Sequence, residues 1–305
     1  MPIKELSEYT AHSINSILNQ SFKNFEIIII IDGNSKQINN FMQNNYSDYI
    51  KSNKIILIDN LKNLGITKSL NIGIKFSNGK YIARNDSDDI SHPDRLKEQF
   101  EFIISNNNYK IITCNYRLID NNYKLIRIKK VNNINKYKLF NFLNPIAHSS
   151  VLFEKKFINS LNNYNDNMYT SQDFELWSKA FLVNPNSIGI MNKTFVDIII
   201  HKNSISNTKS LIQRKNSVLI CMRNRHPYKN NYFINQKLDH IYENRNTLFD
   251  TKILIDLEAL CFCYLGYNHF TLKGLTKLIL FFKIIRIYLF HKGLAFRYLK
   301  LLIIK

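Results

Sequence analysis

The segment from Gly79 to Asp89 carries the most suggestive chemistry, because an apolar run ends in Asp86-Ser87-Asp88-Asp89. Alternate carboxylates in a turn can direct one group towards a divalent cation and the other towards hydroxyl groups. Such a cation could neutralise the charge that develops on a leaving diphosphate. The same residues would also suit an acidic turn before a helix, since Asp favours helix starts. Both interpretations stay open at this point.

A second acidic residue, Asp173, precedes Phe174, Leu176 and Trp177. A carboxylate in a cleft could act as a general base towards an incoming hydroxyl group. With an ordinary pKa of about 3.9 it would be a weak base, unless burial beside aromatic neighbours raised that pKa. The alternative is a helix cap.

Strands and helices alternate over the first 115 residues. Apolar runs predict strands, and apolar residues at helical spacing predict helices near residues 5–20 and 66–74 and after Ser91. This pattern predicts an α/β fold with a mostly parallel sheet flanked by helices. Ligands bind beyond the carboxyl ends of such strands. The predicted strands are Phe25–Ile31, Lys54–Ile58, Lys80–Ala83 and Lys110–Asn115.

The rest of the chain divides near residue 206. Residues 117–128 predict a hairpin that turns at Asp120, residues 149–153 a strand, and residues 173–181 a helix. Beyond residue 206 the sequence is helical in pattern, basic and apolar. We therefore predict an α/β domain over residues 1–206 and a helical basic C-terminal region over residues 207–305.

Six segments, taken in order, resemble the family 2 bacterial glycosyltransferases, which have the GT-A fold. Each is weak alone, but six in the family's order are hard to obtain by chance, and together they span about residues 10–206. The resemblance identifies 1–206 as a GT-A-like catalytic domain. The segments are residues 16–29, 63–74, 79–89, 144–151, 172–177 and 201–206.

This resemblance implies an inverting enzyme that moves a sugar from a nucleotide-sugar donor, foremost a UDP-sugar, to a hydroxyl of a glycan or lipid-linked acceptor in surface polysaccharide biosynthesis. It implies Asp173 as the general base, with Mn²⁺ or Mg²⁺ held by Asp88 and His201. Solvated charges and structural histidines are the alternative for several of these positions. The remaining implied contacts are Asp32, Asp86, Arg84 and Lys68 on the donor side, and His148, Gln172 and Trp177 on the acceptor side.

Two features depart from the family pattern. The family usually opens with an apolar strand ending in Pro-x-Tyr-Asn, whereas Met1–Lys4 resembles only its end, so the first strand is expected to be missing. Either translation starts upstream of Met1, or the domain has lost this strand. Ile31 stands where the family often has the first of two aspartates, leaving Asp32 alone. A degenerate, non-catalytic relative that serves as a binding or scaffold subunit is therefore the alternative function.

The net charge of +19 indicates an acidic partner. Nucleic acid is not expected, because the basic residues are spread rather than clustered with stacking aromatics. Residues 277–292 mix apolar and basic residues at helical spacing and could lie on an anionic membrane surface or pack on the first domain. We expect a cytoplasmic protein, peripheral on the inner face of the cell membrane.

Overall fold

The computed structural model describes residues 1–33, 35–131, 144, 146–201, 212, 213, 216, 217, 219 and 220. The chain separates into two compact units, Met1–Ser210 and Leu211–Lys305. The elements below belong to the first unit. The predicted boundary at residue 206 and the basic helix at residues 277–292 lie outside the described residues and stay predictions.

A three-stranded parallel sheet in the order β1–β2–β3 forms the first half of this unit. Its central strand consists of five isoleucines, and β-branched residues suit a strand buried on both faces. Ile31 is fully buried among its apolar neighbours, so its side chain belongs to the core. The elements are β1 (Pro2–Ile3), α1 (Thr10–Leu18), β2 (Ile27–Ile31), α2 (Ser35–Lys51), β3 (Ile55–Asp59) and α3 (Ile66–Phe76).

A six-stranded mixed sheet forms the second half, in the order β4–β8–β6–β9–β5 with β7 beside β6. The long strands β6 and β9 are parallel, and the other pairs are antiparallel. The strands are β4 (Tyr81–Ala83), β5 (Ile90–Ser91), β6 (Ile111–Ile119), β7 (Leu125–Lys129), β8 (Leu152–Glu154) and β9 (Ile188–Ile199). The helices are α4 (Arg95–Ser105), α5 (Lys155–Ser160) and α6 (Gln172–Val183), with 3-10 turns at His148–Ser150 and Pro185–Ser187.

The predicted α/β class, with a parallel sheet and flanking helices, is confirmed, and so is the hairpin at Asp120. Two local predictions were wrong. The helix after the acidic segment begins at Arg95, because Ser91 lies in β5 and pairs with Val196 of β9. The strand expected from residue 149 begins at Leu152, because the preceding residues form a 3-10 turn.

The start of the chain lies against β2. Pro2 and Ile3 pair with Ile30 and Ile31, and the amino group of Met1 donates a hydrogen bond to the carbonyl oxygen of Ile28 at 2.8 Å. Burial, followed by the nearby charge of Arg84, lowers the pKa of this amino group to about 4. A cavity of about 550 Å³ adjoins it, with an apolar lining that includes residues of β2, β4, α4 and β8. The absence of a longer first strand stays a prediction.

Candidate active site

In the turn after β4, the Asp86 carboxylate lies between the guanidinium group of Arg84 and the hydroxyl group of Ser149. The Arg84 guanidinium forms an ion pair with Asp86 Oδ1. Ser149 Oγ donates to Asp86 Oδ2 at 2.9 Å and accepts the Asp86 backbone N–H at 3.0 Å. Burial opposes ionisation of this carboxyl group, but Arg84 and Ser149 outweigh it and hold the pKa of Asp86 below its usual range. Asp86 is therefore an ionised carboxylate at neutral pH, and Arg84 is its partner.

Asp88 and His201 come together although 113 positions separate them. Asp88 Oδ2 lies 2.8 Å from His201 Nε2. His201 follows the end of β9, and its ring packs against Tyr9 with 5.7 Å between ring centroids. Burial and the charge of Asp86 raise the pKa of Asp88, against the effect of His201. The structure thus pairs the two residues that the sequence suggested as metal ligands.

This pair fits a metal that takes most of its ligands from substrate. Over the ranges that the structure describes, no three acidic, histidine or cysteine side chains cluster as a complete metal site. Mg²⁺ in nucleotide enzymes is held by one or two carboxylates together with substrate phosphates and water. Asp88 supplies one carboxylate oxygen of this kind, and His201 adds an imidazole nitrogen. The donor set is therefore compatible with Mn²⁺ or Mg²⁺ bound together with a diphosphate.

Asp173 lies in the first turn of α6, one residue after its start, while Ser171 occupies the cap position. The side chain is partly buried, and Asn144 Nδ2 donates to Asp173 Oδ2 at 2.7 Å. Burial is the main cause that raises the pKa of Asp173 to about 6, and the charge of Asp86 adds to it. A carboxylate with this pKa is a better base near neutral pH than an ordinary aspartate.

One short segment connects the two carboxylates. Asn144 holds Asp173, and Ser149, five positions later, holds Asp86. Five residues span at most about 17 Å even when fully extended. The charge of Asp86 is also felt at Asp173. The turn after β4 and the start of α6 therefore face one region of the molecule.

Three aromatic rings pack beside this segment. His148 Nε2 lies 2.8 Å from the Tyr164 hydroxyl, and the His148 ring contacts Trp177 with 6.2 Å between centroids. Burial, followed by the charge of Arg84, lowers the pKa of His148 to about 3, so its imidazole is neutral. Trp177 is fully buried, and Gln172 is 7% exposed. Trp177 therefore supports His148 from the core, and the acceptor-side roles of His148, Gln172 and Trp177 stay predictions.

Asp32 lies beside the loop that leads into α3, and Lys68 lies within that helix, in a different environment. Asp32 is buried and accepts hydrogen bonds from Asn60 Nδ2 at 2.9 Å, Leu64 N–H at 2.7 Å and Gly65 N–H at 3.0 Å. It thereby fixes the loop that leads into α3. Lys68 is exposed on that helix. The expected contacts of these two residues with a donor stay predictions.

Several residues of this region were not singled out from the sequence. Asn144 and Ser149 lie within a segment that resembles the family, but nothing in that segment shows which carboxylate each would bind. Tyr164 had no signal, because its contact with His148 forms only when β8 and α5, which lie between the two residues in the chain, are folded. Only the three-dimensional arrangement identifies these three residues.

The geometry describes an α/β domain in which carboxylate groups from distant parts of the chain face one region, and the comparisons with known proteins identify its family. The pattern of glycosyl transferase family 2 matches residues 1–162, and the chain belongs to this family. Bifunctional glycosyltransferase pgtA of Dictyostelium discoideum is 32% identical over 242 residues, which cover 67% of this chain and 31% of that protein. O-antigen biosynthesis glycosyltransferase WbnJ of Escherichia coli is 32% identical over 192 residues, which cover 61% of this chain and 72% of WbnJ.

Solved structures support the GT-A fold. The first 349 residues of TarS from S. aureus, in complex with UDP-GlcNAc, match with a TM-score of 0.58 and 13% identity. The match covers 85% of this chain and 78% of the TarS chain. The predicted family and GT-A fold are thus confirmed. Separately, none of the helices in the described ranges has the length and hydropathy needed to cross a bilayer.

Proposed function

We propose that the protein is an inverting glycosyltransferase that moves a sugar from a nucleoside-diphosphate donor to a hydroxyl group of a glycan or lipid-linked acceptor. One observation carries the proposal. The segment from Asn144 to Ser149 holds Asp173 at one end and Asp86 at the other. A transferase of this kind needs a group that binds the donor and a separate base that faces the acceptor.

On the donor side, the proposal assigns Asp86 to the nucleotide sugar, and Asp88 with His201 to the metal. A divalent cation, when bound, neutralises charge on the leaving diphosphate. Arg84 balances the charge of Asp86 in the absence of substrate. The buried contacts of Ser149 keep the Asp86 carboxylate in one orientation, which lowers the cost of ordering it when substrate binds.

On the acceptor side, Asp173 takes the proton of the attacking hydroxyl group. The acceptor oxygen forms a bond to the anomeric carbon as the bond from that carbon to the diphosphate oxygen breaks. The configuration at the carbon is inverted, and the nucleoside diphosphate leaves with the electron pair. Neutral His148, held by Tyr164, adds a polar but uncharged wall beside this site.

The proposed donor class and biosynthetic role are inferred from proteins that this chain resembles. The related TarS fold was crystallised with UDP and with UDP-GlcNAc, which supports a UDP-sugar as donor. WbnJ is named for O-antigen biosynthesis, which supports a role in surface polysaccharide assembly. Because the chain spans only 31% of pgtA, the activities of that protein are not carried over.

We also propose attachment to the cytoplasmic face of the membrane through residues 277–292. Substituting both Lys283 and Arg286 with Glu in the full chain should reduce sedimentation with vesicles that contain anionic phosphatidylglycerol. Zwitterionic vesicles serve as the control, because electrostatic attraction requires anionic lipid. Equal sedimentation of both proteins with anionic vesicles would count against attachment by this segment.

The proposed function is tested by a donor screen. Purified protein is incubated with UDP-, GDP- and dTDP-sugars and Mn²⁺ or Mg²⁺, and release of nucleoside diphosphate is measured with and without candidate acceptors. Turnover that disappears in Asp173→Asn supports the assignment. Nucleotide binding without turnover under every condition would favour the non-catalytic relative.

A further inference from the structure

Arg95 is a fully buried arginine that begins α4, next to the acidic turn but outside it. A guanidinium group has five N–H donors in a planar fork. In this structure, each of the five has an acceptor between 2.7 and 3.1 Å away, and all five acceptors are neutral oxygen atoms. The acceptors are Gln99 Oε1, Asn85 Oδ1, Ser91 Oγ, and the carbonyl oxygens of Arg84 and Val151.

Two of these contacts close the base of the turn. Arg95 Nη2 donates to the carbonyl oxygens of Arg84 at 2.7 Å and Val151 at 3.1 Å. Arg84 directly follows β4 and Val151 directly precedes β8, and the Arg84 N–H also donates to the Val151 carbonyl at 3.0 Å. The guanidinium therefore joins the residue that leads from β4 into the Asp86 turn to the residue that leads from the 3-10 turn into β8.

A third contact of the guanidinium fixes the orientation of Asn85. Arg95 can only donate, so the Asn85 atom that faces it must be the oxygen. The amide nitrogen of Asn85 then points into the turn, where it donates to the carbonyl oxygens of Asp86 at 2.8 Å and Asp89 at 3.1 Å. Those residues bracket Asp88. Arg95 thus sets, through Asn85, the backbone that carries both proposed ligand carboxylates.

We propose that Arg95 is a positioning residue for the site that binds metal and nucleotide, because its guanidinium holds the turn from Arg84 to Ser91 in one conformation. The expected effect on metal and nucleotide binding rests on the proposed function. The expected effect on the conformation of the turn does not. Lysine has only three N–H donors and cannot make these five contacts. Loss of the fork should loosen the turn before it affects the rest of the domain.

The first measurement is amide hydrogen exchange on the full chain. Arg95→Lys is compared with the wild type and with Ile103→Val and Ile103→Ala, which weaken the same helix two turns further on, in the apolar cluster with Ile112 and Cys114. We expect exchange in Arg95→Lys to rise selectively at the amides of residues 84–91. Exchange there that rises no more than in an Ile103 variant of equal stability would overturn the proposal.

The second measurement is calorimetric titration with UDP in the presence of Mn²⁺. Removal of outer-shell partners typically weakens metal sites by about 10- to 100-fold, and we expect a loss of this size in Arg95→Lys but not in the Ile103 variants. If Arg95→Lys does not fold, Ser91→Ala removes one acceptor of the fork and should give a smaller change in the same residues. Selective exchange at the turn together with no nucleotide binding by the wild type would refute the proposed donor and leave the role of Arg95 in the turn supported. Unchanged UDP affinity in a variant with a loosened turn would refute the positioning role.

Discussion

Asp173→Asn should abolish transfer and at the same time stabilise the fold at neutral pH. The pKa of Asp173 is raised from 3.8 to about 6, chiefly by burial. At about 1.4 kcal/mol for each unit of pKa, the ionised side chain costs about 3 kcal/mol relative to the unfolded chain. Because water reaches part of the side chain, we expect about 1–2 kcal/mol in practice. Asparagine keeps an oxygen for the Asn144 hydrogen bond and carries no charge.

The sign of the pH dependence follows from this shift. A raised carboxyl pKa makes the folded state less favourable above pH 6, and the penalty disappears as pH falls from about 6 to 3.8. In urea unfolding, the variant should therefore exceed the wild type in stability at pH 8, and the two should converge near pH 4. For catalysis, loss of a general base costs about 10²- to 10⁴-fold, and wild-type activity should fall below pH 6. A stability difference that is independent of pH, or full activity in the variant, would refute this reasoning.

Three further predictions concern single residues. Asp88→Asn should weaken Mn²⁺ binding in the presence of UDP by at least about 10-fold in calorimetry, whereas exposed Asp94→Asn should not, and equal affinities would contradict the metal assignment. Ser149→Ala should lower the free energy of unfolding by about 2 kcal/mol, because it removes a partly buried hydrogen bond to a charged carboxylate. The exposed Ser160→Ala is its matched control, and equal urea midpoints for the two variants would argue against this. His148 should show no titration by NMR between pH 5 and 8, because burial lowers its pKa to about 3; a midpoint inside that interval would contradict its neutral state.

The parts of the fold that were predicted correctly are those whose signals are local. Five consecutive isoleucines specify β2, and the spacing of Ile66, Leu70 and Ile74 specifies the face of α3. Ser91 was assigned to a helix start because its place in β5 depends on Val196, which lies 105 positions later. Helix α2 was not predicted, because its apolar residues stand among many Asn and Lys residues and the helical spacing is hard to recognise.

The same difference between local and long-range signals applies to the residues of the site. Resemblance drew attention to Asp86 and Asp173, but the sequence does not contain the distance between them. The contacts that join them come from Asn144 and Ser149, each of which bonds to a residue at least 29 positions away. The five contacts of the Arg95 guanidinium could not be predicted from the sequence either, because the acceptors come from four separate parts of the structure.

The buried amino group of Met1 has a practical consequence for anyone who expresses the protein. A residue fused ahead of it would convert the neutral amine into an amide and would enter the apolar cavity beside β2 and β4. Charged histidine or acidic tags would meet isoleucine and phenylalanine side chains there, and burying a charge against apolar groups is unfavourable. A short apolar spacer, or a tag at the other end of the chain, avoids that conflict.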